Sequence, residues 1–177
     1  QHSVAEGKKA DYLLYHNGKP IAVVEAKDNK HAVGGGMQQA IDYALILDLK
    51  FAYSSNGDAF LEHDFITGKE TELKLDEFPT EESLYQRYLD SKNYTPEELK
   101  IVETPYYYDA YSHEPRYYQR IAVDRTVEAI AKGQQRVLVV MATGTGKTFT
   151  AFQIIHRLHK SGAKKKILYL ADRNILI

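Results

Sequence analysis

The chain has 177 residues, a length that fits one ordinary domain or two small ones. Hydrophobic residues make up 44% and charged residues 27%, a globular composition that excludes extensive disorder. The formal net charge of -1 neither favours nor excludes nucleic acid, because binding needs a local basic surface rather than a basic total. There is no cysteine, which excludes a disulfide framework and a thiolate metal site.

No apolar run approaches the roughly 20 residues that span a bilayer, so we expect no membrane partner. The chain begins with Gln1 and has no signal-peptide pattern. The sequence therefore predicts a cytoplasmic location, and we expect the chain to be a fragment of a longer protein.

The first half is predicted to form a small mixed α/β domain. Weak alternation at 10–15, a turn at 16–19 and an apolar run at 21–24 indicate two strands joined in a hairpin. The glycine run at 34–36 is predicted to break regular structure. A helix at 37–49 follows, because apolar side chains recur there at helical spacing. The remaining predicted elements are strands at 51–54, 59–66 and 70–75, a helix at 79–90, and a short helix that begins after the capping box at Thr95.

The second half is predicted to begin a parallel sheet. Its pattern is a helix at 118–132, a strand at 137–141, a tight loop at 142–146, a helix at 147–160 and a strand at 167–171. Strand, helix and strand at this spacing predict a right-handed βαβ unit. A single unit of this kind leaves its sheet incompletely covered, so we expect an incomplete domain. The predicted boundaries are a first domain at 1–103, a linker at 104–115 and a second domain at 116–177.

The loop at 142–148 carries the strongest chemical signal in the chain. Its sequence is Ala-Thr-Gly-Thr-Gly-Lys-Thr, and successive backbone N–H groups at the start of a helix form an anion site. Lys147 is placed to reach the β- and γ-phosphates of ATP, and the Thr148 hydroxyl to complete a Mg²⁺ shell. The general pattern has glycine where Met141 stands, and the form found here resembles motif I of superfamily 2 helicases. The predicted nucleotide-binding residues of the loop are Thr143, Gly144, Thr145, Gly146, Lys147 and Thr148.

Two flanking segments extend the helicase pattern. Arg116 and Gln119, one helix before the loop, resemble the Q motif, in which a glutamine amide reads adenine; otherwise Gln119 is an exposed residue at a helix start. Residues 168–173 resemble helicase motif Ia, which contacts the DNA backbone. Asp172 could equally be the cap of a following helix.

Asp11, Glu25 and Lys27 have the spacing of a PD-(D/E)xK nuclease. Phosphodiester cleavage needs a cation and an activated water. Two carboxylates and the carbonyl oxygen of Ala26 suit the oxygen coordination that Mg²⁺ prefers. Lys27 lies two residues after Glu25 on a strand, so both face one side. The alternative is that Glu25 and Lys27 are polar residues at a strand end that pair only with each other.

The hairpin register tests this hypothesis. A two-residue turn alone pairs Asp11 with Val24 and sends Glu25 to the opposite face. A three-residue loop or one β-bulge sets Asp11 opposite Glu25 on a common face. A nuclease requires the second arrangement.

Gln39 and Tyr43 lie four residues apart on the next helix and therefore share a face. Gln-x-x-x-Tyr after Glu-x-Lys resembles the accessory motif of nucleases joined to DNA motors. We expect both residues to support the catalytic site. The alternative is that Tyr43 fills the core and Gln39 is solvated.

Taken in order, these motifs resemble the restriction (motor) subunit of a type I restriction enzyme. The resemblance implies an α/β fold with a restriction-endonuclease-like nuclease core, followed by the first βαβ unit of a RecA-like parallel-sheet helicase domain. It implies Mg²⁺ and ATP as cofactors, double-stranded DNA as substrate, and methyltransferase and specificity subunits as partners. The DNA recognition sequence would lie with another subunit.

The match to this family has departures, and alternatives stay open. Ala10 replaces the proline of the nuclease motif, an upstream acidic residue has no clear counterpart, and the later helicase motifs are absent from these 177 residues. A type III-like restriction subunit or a repair helicase–nuclease is one alternative. A non-catalytic DNA-binding or assembly module is another.

Overall fold

A computed structural model describes residues 2–5, 8–109 and 114–170. The chain divides into two compact units, Gln1–Asn93 and Tyr94–Ile177. The sequence predicted the first domain to end at 103, ten residues later. The difference arises because the short helix after Thr95 packs against helices of the second unit. Of the predicted linker, residues 110–113 lie outside the described residues.

The first unit contains two sheets and two α-helices. Strands β1 (His2–Ala5) and β2 (Lys8–Ala10) form an antiparallel pair. The main sheet has the order β3-β4-β5-β6-β7. Its strands are β3 (Tyr12–His16), β4 (Lys19–Ala26), β5 (Phe51–Ser55), β6 (Ala59–Asp64) and β7 (Lys69–Lys74). Only β4 and β5 run parallel among these described strands, and a short 3₁₀ helix (Val33–Gly36) and α1 (Met37–Leu47) connect them. The mixed α/β architecture predicted for this half is confirmed.

Helices cover both faces of the main sheet. On one face, α1 packs Ala40, Tyr43 and Ala44 against Val23 and Ala52. On the other face, α2 (Glu81–Lys92) packs Leu84 against a second apolar cluster. That cluster includes Ile21, Val24, Phe51 and Tyr53. The alternation of the strands therefore divides their side chains between an α1 face and an α2 face.

A polar network fixes α2 to its face of the sheet. The Arg87 guanidinium donates to Glu62 Oε2 at 2.9 Å and Oε1 at 2.8 Å, and to Asp64 Oδ2 at 2.9 Å. The Tyr53 hydroxyl also donates to Glu62. The Ile66 N–H, with the Arg87 guanidinium, holds the pKa of Asp64 below its ordinary value, against the effect of burial. Paired in this way, the carboxylates are compatible with burial.

The second unit contains three described helices. They are α3 (Pro96–Val102), α4 (Tyr117–Ala131) and α5 (Lys147–Lys160). The predicted capping box at α3 is confirmed: Thr95 Oγ1 accepts from Glu98 N at 3.2 Å, and Glu98 Oε2 accepts from Thr95 N at 2.9 Å. The predicted bounds of α5 agree with the structure. Val123 and Val127 of α4 form the centre of a small apolar cluster with Tyr106.

Two buried polar side chains of α5 bind the segment at 102–107, which includes the start of the predicted linker. Arg157 is 1% exposed, and it donates to Val102 O at 2.6 Å and to Asp124 Oδ1 at 2.5 Å. Gln153 is also 1% exposed; its Oε1 accepts from Tyr107 N at 2.9 Å and its Nε2 donates to Tyr107 O at 3.1 Å. Residues 104–107 are therefore packed into the second unit rather than forming a free surface connector.

The strands predicted at 137–141 and 167–171 are not formed. In the part of the chain that the structure describes, neither 137–141 nor 167–170 belongs to a β ladder, and Ala171 lies outside the described residues. Leu138 and Leu170 are more than four-fifths exposed. A parallel strand gains its hydrogen bonds and its cover from neighbouring strands, and no described strand lies beside these segments. The strands of the predicted βαβ unit are therefore not formed in the described residues, and the unit is not confirmed.

The glycine run at 34–36 does not break regular structure as predicted. It forms the 3₁₀ helix that leads into α1. Gly36 is buried, and the run packs against the sheet. Among the described helices, none is long and apolar enough to cross a membrane.

We expect Arg157→Leu to release the segment at 102–107, because the substitution leaves Val102 O and Asp124 without their buried donor. The free energy of unfolding of the second unit should fall by about 3 kcal/mol. Urea unfolding and hydrogen exchange of peptides covering 102–107 measure the two effects. Arg136→Leu, at an exposed position, is the matched control. Equal stability and equal exchange in the two variants would contradict this interpretation.

Candidate functional sites

The first candidate site lies at the end of β4 on the α1 face of the sheet. The β3–β4 hairpin has a two-residue turn at Asn17 and Gly18, both with positive φ. The register shifts between Leu14 and Tyr15: His16 pairs with Lys19, whereas Tyr12 pairs with Val24. Continued by one residue, this register sets Asp11 opposite Glu25. The bulged arrangement that a nuclease requires is confirmed.

Hydrogen bonds hold Asp11 and Glu25 together. Asp11 N donates to Glu25 Oε1 at 3.2 Å, and Ala26 N donates to Asp11 Oδ2 at 3.0 Å. The Glu25 side chain is 1% exposed, and its Oε2 has no hydrogen-bond donor. The nearest charged partner of that oxygen is Lys27 Nζ at 3.8 Å. A buried carboxylate oxygen without a protein donor is suited to contact with a cation.

The environment of Glu25 favours its protonated form. Burial raises the pKa of the Glu25 carboxyl to about 7, and the nearby Asp11 charge acts in the same direction. The Asp11 N–H and the Lys27 ammonium oppose this rise only in part. A divalent cation beside Glu25 Oε2 would neutralise the charge that burial makes costly. The donor set of Asp11 and Glu25 therefore fits Mg²⁺, with the carbonyl of Ala26 as the third predicted ligand.

The side chains of Lys27, Gln39 and Tyr43 form a chain of hydrogen bonds beside the carboxylates. Lys27 Nζ donates to Gln39 Oε1 at 3.2 Å, and Gln39 Nε2 donates to the Tyr43 hydroxyl at 3.0 Å. The last bond fixes which end of the amide faces Lys27. Tyr43 also packs in the core, as the alternative expected, yet its hydroxyl orients Gln39. The structure thus brings together all five residues predicted for this site.

Sequence reasoning missed Ser54 and Gly36, which lie directly behind the site. Ser54 is fully buried on β5 and is the register partner of Glu25. Gly36 N donates to Ser54 Oγ at 3.0 Å. The sequence signal that could have identified Ser54 is a serine on the α1-facing side of β5, a strand whose residues are all buried.

The second candidate site is the loop that leads into α5. Gly144 and Gly146 have positive φ, and Gly146 is the N-cap of α5. Lys147 Nζ lies 3.5 Å from Met141 O, so the lysine folds back over its own loop. Thr145 Oγ1 donates to Ala142 O at 2.6 Å, which closes the turn. Thr143 and Thr148 are exposed beside the free N–H groups of the first turn of α5.

Gln119 connects the start of α4 to this loop. Its Oε1 accepts from Arg116 N at 2.9 Å, and its Nε2 donates to Thr145 O at 2.8 Å. Gln119 is buried rather than exposed, and both ends of its amide are already used. A side chain at Gly146 would approach Gln119 Nε2 to 2.4 Å, so the contact requires glycine. Adenine reading by Gln119 and Arg116 stays a prediction. Asp172 and Arg173 of the motif Ia segment lie outside the described residues.

Comparisons with known proteins match each half of the chain to a family of restriction enzyme subunits. Residues 2–71 match the family model for the type I restriction enzyme R protein N terminus, and residues 112–177 match that for the type III restriction enzyme res subunit. The chain is 51% identical over 175 residues to the type I restriction enzyme EcoAI endonuclease subunit of Escherichia coli. It is 32% identical over 223 residues to the EcoKI endonuclease subunit of E. coli K12.

These matches cover nearly all of the chain but a small part of each relative. They take in 96% and 94% of the chain, and 22% and 18% of the EcoAI and EcoKI subunits. A solved fragment of a protein described as an HsdR subunit of a type I restriction enzyme, from Vibrio vulnificus YJ016, superposes with a TM-score of 0.77. It is 50% identical, and the match covers 87% of this chain and 29% of that one.

The family models, the relatives and the solved fragment together support an N-terminal fragment of a type I restriction enzyme R subunit. Residues 2–71 correspond to the N-terminal region that the first family model describes. The type III description applies only to the second half, whereas the type I relatives span both halves.

We expect Glu25→Gln to stabilise the metal-free protein at alkaline pH. The folded-state pKa of Glu25, about 7, lies above the ordinary glutamate value of 4.5. The carboxyl therefore contributes most stability below about pH 4.5 and loses it as the pH rises through 7. The glutamine variant lacks this loss. Its advantage should therefore grow between pH 5 and 8, by on the order of 2 kcal/mol. Urea unfolding in EDTA at several pH values measures it.

The control for this comparison is Glu72→Gln, at an exposed position on β7. Its unfolding curve should follow that of the wild type across the whole pH range. If the free energy of unfolding of Glu25→Gln changes with pH just as it does for the wild type and for Glu72→Gln, then the folded state does not penalise the ionised Glu25.

Proposed function

We propose that this chain supplies the nuclease centre and the ATP-binding loop of a type I restriction enzyme, which cleaves double-stranded DNA and moves along it. The observation that carries the nuclease assignment is the bulged register that sets Asp11 against Glu25, with Lys27 Nζ 3.8 Å from Glu25 Oε2. A hairpin with a two-residue turn and no bulge would separate these groups. The proposal therefore rests on geometry as well as on family resemblance.

Each residue of the centre has a separate role. Asp11, Glu25 and the Ala26 carbonyl would hold Mg²⁺, which supplies charge neutralisation at the phosphate and acidifies a bound water. Lys27 Nζ, oriented by Gln39, donates a hydrogen bond to the attacking water or to a phosphate oxygen. Tyr43 holds Gln39 in the orientation that presents an acceptor to the lysine. The proposed reaction is hydrolysis of a phosphodiester bond.

The motor function is proposed from the second unit. The N terminus of α5 offers backbone donors, Lys147 a cation and Thr148 a hydroxyl, a set that suits the phosphates of ATP and their Mg²⁺. Gln119 Nε2 donates to Thr145 O and so joins the start of α4 to the loop, and contact of Gln119 with adenine is part of this proposal. A RecA-like domain that includes the second unit, Tyr94–Ile177, belongs to this proposal. The proposed partners are the methyltransferase and specificity subunits, in the cytoplasm.

The match of the second half to the type III res subunit favours one alternative, a type III-like ATP-driven nuclease. The subunit requirement for cleavage distinguishes the two proposals, since only the type I proposal requires a specificity subunit. A non-catalytic assembly module is the remaining alternative, and it predicts no metal-dependent cleavage at all.

We expect Glu25→Ala and Lys27→Ala to abolish DNA cleavage in the assembled enzyme while ATP hydrolysis continues near the wild-type rate. Glu25→Ala removes a metal ligand, Lys27→Ala removes the group that orients water, and neither residue belongs to the unit that carries Lys147. Cleavage of one-site circular DNA on agarose gels, run beside ATPase measurements, tests both. Glu72→Ala and Lys69→Ala, at exposed positions of β7, are the matched controls. Persistent cleavage by Glu25→Ala at ordinary Mg²⁺ would falsify the nuclease assignment.

We expect Lys147→Ala to stop ATP-dependent translocation, because the phosphates lose the cation that faces them. Triplex displacement in a stopped-flow instrument measures movement along DNA. Lys160→Ala, at the other end of the same helix and exposed, should move at the wild-type rate. Normal displacement by Lys147→Ala would remove the basis for the ATP site.

A further inference from the structure

Ser54 is a polar residue at the centre of the first unit that the proposed chemistry does not use. It lies on β5 with no solvent exposure, and it is the register partner of Glu25 on the adjacent parallel strand. Its side chain faces the same side of the sheet as Glu25, toward α1. A hydroxyl in such a place needs hydrogen-bond partners, because an unsatisfied buried polar group is costly.

Both partners of the Ser54 hydroxyl belong to the 3₁₀ helix before α1. The hydroxyl donates to Val33 O at 2.6 Å and accepts from Gly36 N at 3.0 Å. One side chain therefore joins the first and last residues of that helix to the middle of the sheet. The two bonds fix the height of the turn, that is, its distance from the sheet at β4 and β5.

The turn that Ser54 holds is in direct contact with the proposed catalytic residues. A Cβ on Gly36 would lie 3.0 Å from Glu25 Cβ, 3.2 Å from Lys27 Cε and 3.1 Å from Ser54 Oγ. Gly36 thus fits against Glu25 and Lys27 with no room for a side chain. The backbone of the turn forms one wall of the space that the two side chains occupy.

Helix α1 begins at Met37, the residue after this turn, and carries Gln39 in its first turn. Lys27 Nζ reaches Gln39 Oε1 at 3.2 Å. The height of the turn therefore also sets the position of Gln39 relative to Lys27. A small upward shift of Val33–Gly36 would lengthen this bond and would open the wall beside Glu25.

We propose that Ser54 is a positioning residue of the nuclease centre: its hydroxyl holds the turn at Gly36 against Glu25 and Lys27 and thereby sets the geometry of the carboxylate and the ammonium. The inference rests on the proposed nuclease function. Ser54 touches neither the metal nor the DNA in this role. It acts through Gly36.

The next residue, Ser55, provides a matched control. It is also buried, and its hydroxyl also makes two hydrogen bonds to a turn, donating to Ala59 O at 2.8 Å and accepting from Gly57 N at 3.1 Å. That turn joins β5 to β6. The Ser55 carbonyl also accepts from Lys27 N at 2.8 Å, but this is a backbone bond that Ser55→Ala keeps. Ser54→Ala and Ser55→Ala therefore remove the same atom and the same number of bonds from neighbouring positions. Only the first should affect the centre.

The experiment compares the two variants in the full-length subunit. Urea unfolding measures the general cost of losing the hydroxyl, which should be similar for both. Mn²⁺ binding, measured by calorimetry without DNA, should be about tenfold weaker in Ser54→Ala and unchanged in Ser55→Ala. In the assembled enzyme, cleavage of one-site circular DNA by Ser54→Ala should be slower by about tenfold or more. ATP hydrolysis should equal the wild-type rate in both.

Glycine variants of the turn give a second test if Ser54→Ala folds poorly. Gly36→Ala should reproduce the weak Mn²⁺ binding and slow cleavage, because its Cβ displaces the turn from Glu25. Gly34→Ala is its control, since a Cβ there would meet only the Leu61 Cδ2 methyl group, at 3.1 Å. Equal Mn²⁺ affinity and equal cleavage in Ser54→Ala and Ser55→Ala would overturn the proposal, as would normal behaviour of Gly36→Ala.

If the proposed nuclease function is itself wrong, the experiments give a different result. Glu25→Ala would then cleave DNA normally, whatever Ser54→Ala does. Mn²⁺ binding still decides the inference in that case: selective weakening in Ser54→Ala supports a role in positioning the carboxylate, and equal affinity in the two serine variants refutes it.

Discussion

The β3–β4 hairpin closes with a two-residue turn at Asn17 and Gly18, and a turn of that length by itself would set Asp11 against Val24. One extra residue on β4, between the partners of Leu14 and Tyr15, changes the register and brings Asp11 to Glu25. The pairing of the two carboxylates depends on this bulge. Without it, Asp11 and Glu25 would lie on opposite faces of the sheet.

The same arrangement makes the centre costly for the fold. Glu25 is buried with one oxygen lacking a donor, and a buried charge without full pairing destabilises the folded state. The sheet offsets this cost elsewhere. Apolar clusters cover both of its faces, and the Arg87 network satisfies the buried carboxylates of β6. Glu62 and Asp64 pair with the Arg87 guanidinium at 2.8 and 2.9 Å, whereas Glu25 Oε2 has no hydrogen-bond donor and lies 3.8 Å from Lys27 Nζ. A carboxylate that the protein leaves unsatisfied in this way is suited to a cation.

The sequence was sufficient for features that local chemistry decides. The Thr95 capping box and the bounds of α5 follow from residues close together in the chain. The hairpin register does not, because the turn at Asn17 and Gly18 alone favours the pairing without a bulge, and only the nuclease motif led us to expect the bulge. Features that depend on distant partners were missed or wrong. Residues 137–141 have the composition of a strand, but a strand needs neighbours to form. The roles of Ser54 and Arg157 were invisible because their partners are about 20 and 55 residues away.

The proposed activities use residues in separately packed units. Asp11, Glu25 and Lys27 depend on the hairpin register and on the turn before α1, all within Gln1–Asn93. Lys147 depends on the loop at the start of α5, and the same helix holds residues 102–107 through Gln153 and Arg157. The described start of the predicted linker is therefore part of the packing of the second unit. The bonds that position Glu25 lie within Gln1–Asn93, whereas those of Lys147, Gln153 and Arg157 described above lie within Tyr94–Ile177. The two sets of side chains can thus be altered one at a time.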